Sequence, residues 1–288
     1  MYFNLLYKFE NFDTIYYVNV KYGYELNLIA YPKSYSLVSD GMQLPVYFIS
    51  DVHLMDQLSE SETNNQKPLY RFLDHIKHTG GTLFINGDLF DFYFEYKDVI
   101  PKGYFPIYNQ LYTLKNSGIE IHYILGNHDY WVMDFMKKHL TTQTYENDVT
   151  LELNGKKFYI SHGDGYLSWD HGYRLLKRII HSRLFIWSYR WIHPNISFKI
   201  ASWISKRGKH YDHSDEYNQR VLDEMTELAK KKVRQGFDYL VLGHYHQAID
   251  QSVENGKLII LGDWLTFFTY GYFDGTDLTL KKWVEHDA

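Results

Sequence analysis

Short apolar segments alternate with polar loops and with segments of helical spacing, and this alternation constrains the fold most strongly. Residues 45–50, 82–87 and 119–125 are apolar runs of strand length, whereas residues 66–79 and 104–116 have the spacing of helices. Continuous apolar strands are typical of a sheet that is covered on both faces. The repeated order of strand, loop and helix therefore predicts an α/β fold.

The second half of the chain adds hairpins and a further helix. Residues 149–161 alternate around an Asn-Gly pair and predict a hairpin. Residues 213–235 predict a polar helix with acidic side chains early and basic ones late. Residues 237–242 read as another buried strand, and turns at 255–256 and 274–275 join the closing strands.

Composition indicates a soluble chain. Hydrophobic residues make up 45% of the 288 residues, charged residues make up 23%, and there is no cysteine. Disulfides and thiolate-bound zinc are thereby excluded, no apolar run is long enough to span a membrane, and the N-terminus has no signal-peptide pattern. We predict a cytoplasmic protein.

The start of the chain does not follow the alternation. Residues 1–41 are predicted as an N-terminal extension of unassigned role, and residues 42–288 as the main domain. Residues 16–31 have the pattern of a hairpin, but Met42 is an alternative natural start. These two interpretations of the extension remain open.

Five loops that follow apolar strands carry metal-ligating residue types. They contain Asp51 and His53; Asp88; Asn127 and His128; His162; and His244 and His246. Taken singly, each loop is most often a solvated turn or a cap. Strand ends of an α/β sheet are where sites form, and residues i and i+2 of an extended segment point the same way. Five such loops together therefore predict one site.

The ligand types indicate the chemistry of that site. Carboxylate, imidazole and amide groups without thiolate suit Mn²⁺, Fe or Zn²⁺. Seven candidate ligands are too many for one ion, so two ions sharing a bridging carboxylate fit better. Such a pair activates water and neutralises phosphoryl charge. In this interpretation Asn127 supplies a neutral oxygen and His128 is left for the reacting group.

The ordered motifs D-x-H, G-D-x-x-D, G-N-H-D, H-G-D and G-H-x-H resemble the calcineurin-like metallophosphoesterases from about Val46 to Trp283. The resemblance implies four layers, with two mixed β-sheets flanked by helices. It implies one metal on Asp51, His53 and His246, and another on Asn127, His162 and His244. Asp88 would bridge them. His128, oriented by Asp91, would stabilise the transition state or protonate the leaving oxygen.

A narrower resemblance is to the UDP-2,3-diacylglucosamine hydrolases, especially those of Bacteroidetes-type bacteria. It is carried by SDVHL, GDLFDFYFEYKDVIPKG, the helical segment after HGDG, and LGDW. That family cleaves a pyrophosphate during lipid A synthesis, releasing UMP and a diacylglucosamine 1-phosphate, and Mn²⁺ is its expected metal. His128 departs from the Arg of the proteobacterial enzymes, although the Bacteroidetes-type branch also has His.

The family inserts a helical lid after H-G-D, which corresponds here to about residues 166–212. Residues 171–206 have helical spacing interrupted near Pro194, and residues 171–211 contain nine Lys and Arg but no Asp or Glu. A basic and apolar segment suits an interfacial helix pair or an anionic lipid pocket, and a core helix pair with a basic outer face is the alternative. The resemblance implies substrate contacts at Asp170 and Tyr173, and we add Arg174 and Lys206 as weaker candidates.

The leading hypothesis is therefore a two-metal pyrophosphatase that acts on a UDP-linked acylated sugar at the inner-membrane surface, with peripheral membrane association and no nucleic acid partner. A phosphodiesterase for nucleotides or other phosphoesters is the alternative. Nucleic-acid binding would favour an open basic groove, whereas the aliphatic residues of the basic segment indicate acyl chains. A non-enzymatic scaffold is disfavoured because every expected ligand is present.

Overall fold

The structure is a computed structural model that describes residues 10–11, 14–21, 25–32, 34–38, 42–56, 60–200 and 214–284. The strands are β1 Glu10–Asn11, β2 Thr14–Lys21, β3 Glu25–Pro32, β4 Ser34–Val38, β5 Val46–Ile49, β6 Thr82–Asn86, β7 Glu120–Ile124, β8 Gln143–Tyr145, β9 Asp148–Leu153, β10 Lys156–Ser161, β11 Tyr239–Leu242, β12 Ala248–Val253, β13 Gly256–Leu261, β14 Thr269–Phe273 and β15 Leu278–Lys282. The helices are α1 Glu60–Thr79, α2 Phe105–Asn116, α3 His171–Ile180, α4 Arg183–Tyr189, α5 from residue 194 to the end of the described range at 200, and α6 Asp215–Arg234.

Two six-stranded mixed sheets form the centre of the molecule. The first has the strand order β15-β14-β5-β6-β7-β8, and β5 to β8 run parallel. The second has the order β12-β13-β11-β10-β9-β4, with β10, β11 and β13 parallel to one another. The carboxyl ends of the central parallel strands of each sheet therefore lie at one edge.

The side chains of β5 show why the sheets are buried on both faces. All four residues are buried and alternate in direction, so that Tyr47 and Ile49 pack towards α1 and α2 while Val46 and Phe48 pack between the two sheets. On the outer face of the second sheet lies α6. Its residues Val221, Met225, Ala229 and Val233 recur at intervals of four and are buried. This arrangement confirms the predicted α/β class with two mixed sheets flanked by helices.

Part of the predicted extension belongs to the second sheet. Strand β4 pairs in parallel with β9, from Ser34 opposite Asp148 to Val38 opposite Glu152. The ring of Tyr35 packs edge-on against Tyr145 at 5.2 Å. The predicted hairpin is present as β2 and β3, which pair antiparallel. The predicted domain boundary at residue 42 stays a prediction.

Helices α3, α4 and α5 are inserted between β10 and α6. They pack on the aromatic side chains Phe94, Tyr96 and Trp131, which follow β6 and β7. Hydrogen bonds also join this aromatic cluster to the inserted segment. Trp131 Nε1 donates to the carbonyl of Ile180, and the Tyr96 hydroxyl donates to the carbonyl of Ile192. The predicted insertion extended to residue 212, and its part from 201 lies outside the described residues.

Candidate metal centre

The predicted ligand loops meet at one place because they leave neighbouring strands at the same edge. Loops after β5, β6 and β7 come from the first sheet, and loops after β10 and β11 come from the second. The structure thus brings together every residue predicted as a metal ligand. These are Asp51, His53, Asp88, Asn127, His162, His244 and His246.

Two groups of ligand atoms surround Asp88. In the first, Asp51 Oδ1 lies 3.8 Å from His53 Nε2 and 3.7 Å from His246 Nε2. In the second, His162 Nε2 lies 3.4 Å from Asp88 Oδ2, with His244 in the same group. The carboxylate of Asp88 also lies 3.8 Å from His53 Nε2, so it faces both groups. This is the position that a bridging ligand requires.

Asn127 and His128 complete the arrangement on the side of β7. Asn127 Oδ1 lies 3.2 Å from His162 Nε2, which puts a neutral oxygen beside the second group. The backbone amide of His128 donates to Asp88 Oδ1 at 2.9 Å, and its Nε2 lies 4.0 Å from Asp88 Oδ2. The imidazole of His128 is therefore beside the shared carboxylate.

The backbone at these positions is strained. Asp51, His53, Asp88, His244 and His246 all have φ between 50° and 69°. Side chains with a Cβ rarely adopt this left-handed conformation, and where it persists the surrounding structure holds it at a functional site. All five of these residues belong to the groups of His and Asp that could hold a metal ion.

Glycines next to the ligands allow the loops to approach closely. A Cβ on Gly126 would lie 2.2 Å from Asp88 Oδ1, and one on Gly243 would lie 2.0 Å from Ser50 Oγ and 2.8 Å from Asp51 Oδ2. No side chain fits at such distances. The glycines of the G-N-H-D and G-H-x-H motifs are thus explained by contact with the predicted ligand loops.

Groups behind the imidazoles orient them. His162 Nδ1 lies 2.8 Å from the carbonyl of Asn86, and His246 Nδ1 lies 3.2 Å from Asp263 Oδ2. Asp263 belongs to the LGDW motif, but the sequence did not predict it as a residue of the site. His128 Nδ1 lies 2.6 Å from the backbone carbonyl of Asp91, so this contact uses the main chain of Asp91. A carbonyl only accepts, and Nδ1 of His128 therefore carries a proton.

A second unselected residue, Asp129, supports the loops. Its buried carboxylate accepts from the amides of Leu89 and Gly126 and from the hydroxyl of Tyr123. Burial, followed by the charge of Asp88, raises the pKa of Asp129 to about 6. Its hydrogen bonds hold the loops after β6 and β7 together.

At the candidate metal centre, burial and neighbouring charges shift the pKa values of Asp88 and His162 in opposite directions. Burial alone would raise the pKa of Asp88, but the imidazoles of His162 and His128 hold it well below its usual range. Burial alone would lower the pKa of His162, yet Asp88 and other carboxylates raise it to about 10. Burial lowers the pKa of His53 well below its usual value and that of His244 to about 3. Neutral imidazole is the form that binds metals, and the lowered pKa values of His53 and His244 favour that form in these two rings.

The donor set fits divalent metal ions. Asp51 Oδ1 is buried and has no hydrogen-bond partner among the described residues, although it faces two imidazoles. An unpaired buried carboxylate oxygen is costly unless a cation satisfies it. Oxygen and imidazole ligands without thiolate suit Mn²⁺, Fe or Zn²⁺.

The predicted substrate residues lie on α3 or beyond the described chain. The carboxylate of Asp170 caps α3 by accepting from the amide of Tyr173 at 3.0 Å. The ring of Tyr173 lies 5.7 Å from that of His244, whereas Arg174 is exposed on the same helix. Lys206 lies outside the described residues. Their predicted substrate contacts stay predictions.

The match to a known family covers most of the chain. The calcineurin-like phosphoesterase description matches residues 44–248, a range that contains every predicted metal ligand and ends at the first residue of β12. The chain belongs to the calcineurin-like phosphoesterase family. Together with the clusters of His and Asp, the match confirms the prediction of a metal-dependent hydrolase.

Two hydrolases of the same name are similar to most of this chain. The UDP-2,3-diacylglucosamine hydrolase of Porphyromonas gingivalis is 29% identical over 257 residues, covering 84% of this chain and 98% of that protein. The hydrolase of the same name from Haemophilus influenzae is 26% identical, covering 76% of this chain and 90% of its own. A solved structure of Vps29 from Entamoeba histolytica has a TM-score of 0.40 and 13% identity, covering 82% and 90% of the two chains.

Among the described residues, no helix has the length and apolar character needed to cross a membrane.

Proposed function

We propose that this chain is a two-metal hydrolase that cleaves the pyrophosphate of UDP-2,3-diacylglucosamine, releasing UMP and 2,3-diacylglucosamine 1-phosphate for lipid A synthesis. The observation that carries the proposal is the similarity to the Porphyromonas gingivalis hydrolase over 98% of that protein's length. The similarity also covers 84% of this chain.

Two sets of residues would hold the metal ions. Asp51, His53 and His246 form the first set, and Asn127, His162 and His244 form the second. Asp88 would bridge the two because its carboxylate faces both. When bound, two divalent ions supply an activated water and neutralise phosphoryl charge. We expect Mn²⁺, with Fe or Zn²⁺ as alternatives.

His128 is the proposed acid or charge-stabilising group. Its Nδ1 proton is held by the Asp91 carbonyl, which orients the ring and leaves Nε2 on the side of the shared carboxylate. Burial by itself would lower the pKa of His128, but Asp88 and the Asp91 carbonyl raise it above the usual histidine value. The raised pKa favours the protonated imidazole, which is the form suited to protonating a leaving oxygen or stabilising its developing charge.

The inserted helices would hold the acylated half of the substrate. Apolar side chains are exposed on them, while no Asp or Glu occurs between residues 171 and 211. The exposed apolar side chains described on these helices and on the turn between α4 and α5 are Leu175, Leu176, Ile179, Leu184, Trp187, Trp191, Ile196 and Ile200. Asp170, Tyr173, Arg174 and Lys206 are the proposed substrate contacts in this segment.

The same surface supports peripheral association with the inner-membrane surface from the cytoplasmic side. Aromatic and aliphatic side chains interleaved with Arg and Lys suit an anionic lipid interface. Cosedimentation with vesicles of zwitterionic or anionic lipid tests this. We expect binding to the anionic vesicles only, and no binding to either would contradict the association.

Product analysis tests the proposed reaction. Purified chain is incubated with Mn²⁺, detergent and UDP-2,3-diacylglucosamine, beside bis(4-nitrophenyl) phosphate. We expect Mn²⁺-dependent release of UMP, with a loss on the order of a thousandfold or more in Asp88→Ala because both metal sets lose a ligand. Cleavage of the aryl diester alone would reject the lipid substrate and favour a phosphodiesterase of other specificity.

A further inference from the structure

Helix α3 contacts the loop after β10 through polar groups. Lys177 Nζ lies 2.6 Å from Asp164 Oδ2 and donates to the Asp164 carbonyl at 3.1 Å. The Tyr173 hydroxyl donates to the same Oδ2 at 3.0 Å. Tyr173 and Lys177 are four residues apart and therefore share one face of α3. Asp164 thus receives three hydrogen bonds from one face of the helix.

The loop that Asp164 belongs to also carries a predicted metal ligand. Asp164 follows His162 by two residues, and the carbonyl of the intervening Gly163 accepts from the Tyr245 hydroxyl at 2.6 Å. The amide of Gly243 donates to the carbonyl of His162 at 2.9 Å, which ties the loops after β10 and β11 together. The face of α3 that holds Asp164 thereby rests on the two loops that carry His162 and His244.

Few apolar contacts hold α3 in place. None of its ten residues is buried. At its end, Trp131 donates to the carbonyl of Ile180, and the rings of Tyr130 and His181 stack with centroids 3.5 Å apart. Apolar burial usually supplies most of the stability of a docked helix. In the first part of α3, the polar contacts to Asp164 hold the helix in place of apolar burial.

The buried carboxylate of Asp164 distinguishes this ion pair from a surface pair. The side chains of Asp164 and Lys177 are 8% and 32% exposed. Lys138 and Asp134 form a pair of the same 2.6 Å length, but their side chains are 65% and 57% exposed. Exposed pairs contribute little, whereas removing one partner of a buried pair leaves an uncompensated charge.

We propose that Asp164 is a positioning residue that fixes the inserted helices over the metal centre by binding Lys177 and Tyr173 of α3. The inference rests on the proposed function in assigning metal ions to the loops and the acylated substrate to the insertion. Asp164 itself touches neither reacting atoms nor the shared carboxylate. It sets where the substrate-binding face of α3 lies relative to His162 and His244.

Lys177→Met tests the proposal in the full chain loaded with Mn²⁺. Limited trypsin digestion measures cleavage after Arg183 and Arg190, and kinetics compare UDP-2,3-diacylglucosamine with bis(4-nitrophenyl) phosphate. We expect cleavage on the order of tenfold faster and a KM for the lipid substrate on the order of tenfold higher. The kcat/KM for the aryl diester, which needs no insertion, should change by less than about twofold.

Two further variants serve as controls. Lys138→Met removes the exposed pair of equal length and should leave all three measurements unchanged. Lys177→Arg preserves the ion pair and should restore values near wild type. Equal losses on both substrates in Lys177→Met would indicate general damage to the fold and overturn the positioning role. A wild-type cleavage rate in that variant would overturn it as well.

The digestion also separates this inference from the proposed reaction. If the wild-type chain fails to cleave the lipid substrate, the proposed function fails, but the comparison of tryptic rates still decides the inference. If Lys177→Met does not fold, Tyr173→Phe removes only the hydroxyl that reaches Asp164. Faster cleavage in Tyr173→Phe supports the inference, and an unchanged rate overturns it.

Discussion

Individual residue types explain how the sequence could predict which side chains the structure brings together. Asp, His and Asn at strand ends have few structural reasons to recur together, so the recurrence itself was informative. The backbone conformations were not predictable in this way, because the positive φ values of residues such as Asp51 and His246 depend on contacts across two sheets. The role of Asp263 beside His246 was not predicted either, because it also depends on a contact between residues that are distant in the sequence. Asp263 lies seventeen residues after His246 and reaches that ring only through the β12–β13 hairpin.

Asp263→Asn should weaken metal binding. Asp263 Oδ1 accepts from the amides of Leu265, Thr266 and Phe267, and an amide oxygen can keep those bonds. The nitrogen of Asn cannot accept from His246, so the ring loses its orienting partner. Loss of such a partner typically costs 10-fold to 100-fold in affinity, and we expect about that loss for Mn²⁺ in calorimetric titration.

A matched control for this variant is Asp274→Asn. Asp274 Oδ1 also accepts from backbone amides of its own turn, at Thr276 and Asp277, but no predicted ligand touches it. Its Mn²⁺ affinity should equal that of the wild type. An unchanged affinity in Asp263→Asn would show that Asp263 does not orient His246.

At the scale of elements, helix segments that carry a sequence signal were predicted well, and segments without one were predicted less well. Helix α6 lies within the range 213–235 that was predicted from its acidic start and basic end, and its buried residues recur every four positions. Helix α1 begins at Glu60, six residues before the predicted start, because its first two turns, ESETNNQK, carry no apolar period. The insertion breaks near Pro194 as predicted, and it breaks again where Ser182 caps α4.

We expect His181 to make the free energy of unfolding depend on pH. It stacks on Tyr130, and burial, followed by the charge of Lys177, lowers the pKa of His181 to about 4. Because this value lies below that of the unfolded chain, about 6.5, the folded state binds fewer protons between the two. The contribution to stability is therefore complete above about pH 6.5 and is lost as the pH falls towards 4.

His181→Phe should remove this dependence while retaining a stacked ring. Between pH 7.5 and 5.0, the free energy of unfolding of the wild type should fall by about 2 kcal/mol more than that of the variant. Urea denaturation at the two pH values measures the difference. Parallel losses in the two proteins would mean that the His181 ring does not carry this pH dependence.

At the scale of the whole molecule, the two sheets create the site by placing five loops at a common edge. The alternation along the sequence was sufficient to predict the α/β class, but not the place of β4. That strand pairs with a partner more than one hundred residues away, and local pattern carries no information on such pairing. Its residues Tyr35 and Leu37 pack against the core between the sheets.

Truncation tests the contribution of β4. A variant lacking residues 1–33 keeps this strand, whereas one lacking residues 1–41 loses it and leaves β9 as an exposed sheet edge. We expect the shorter chain to be less stable than the longer one by about 2 kcal/mol, from the apolar area of Tyr35 and Leu37. Denaturant unfolding of both variants measures this, and equal stabilities would contradict a structural role for β4.

The number of metal ions bound per chain tests the central claim most directly. In the proposed centre, the groups of His and Asp on the two sides of Asp88 hold one ion each, and both ions depend on its carboxylate. After loading with Mn²⁺ and removal of excess ion, elemental analysis should find two ions per wild-type chain and fewer than one in Asp88→Asn. A single ion in the wild type, or two ions retained in Asp88→Asn, would contradict a centre built around a shared carboxylate.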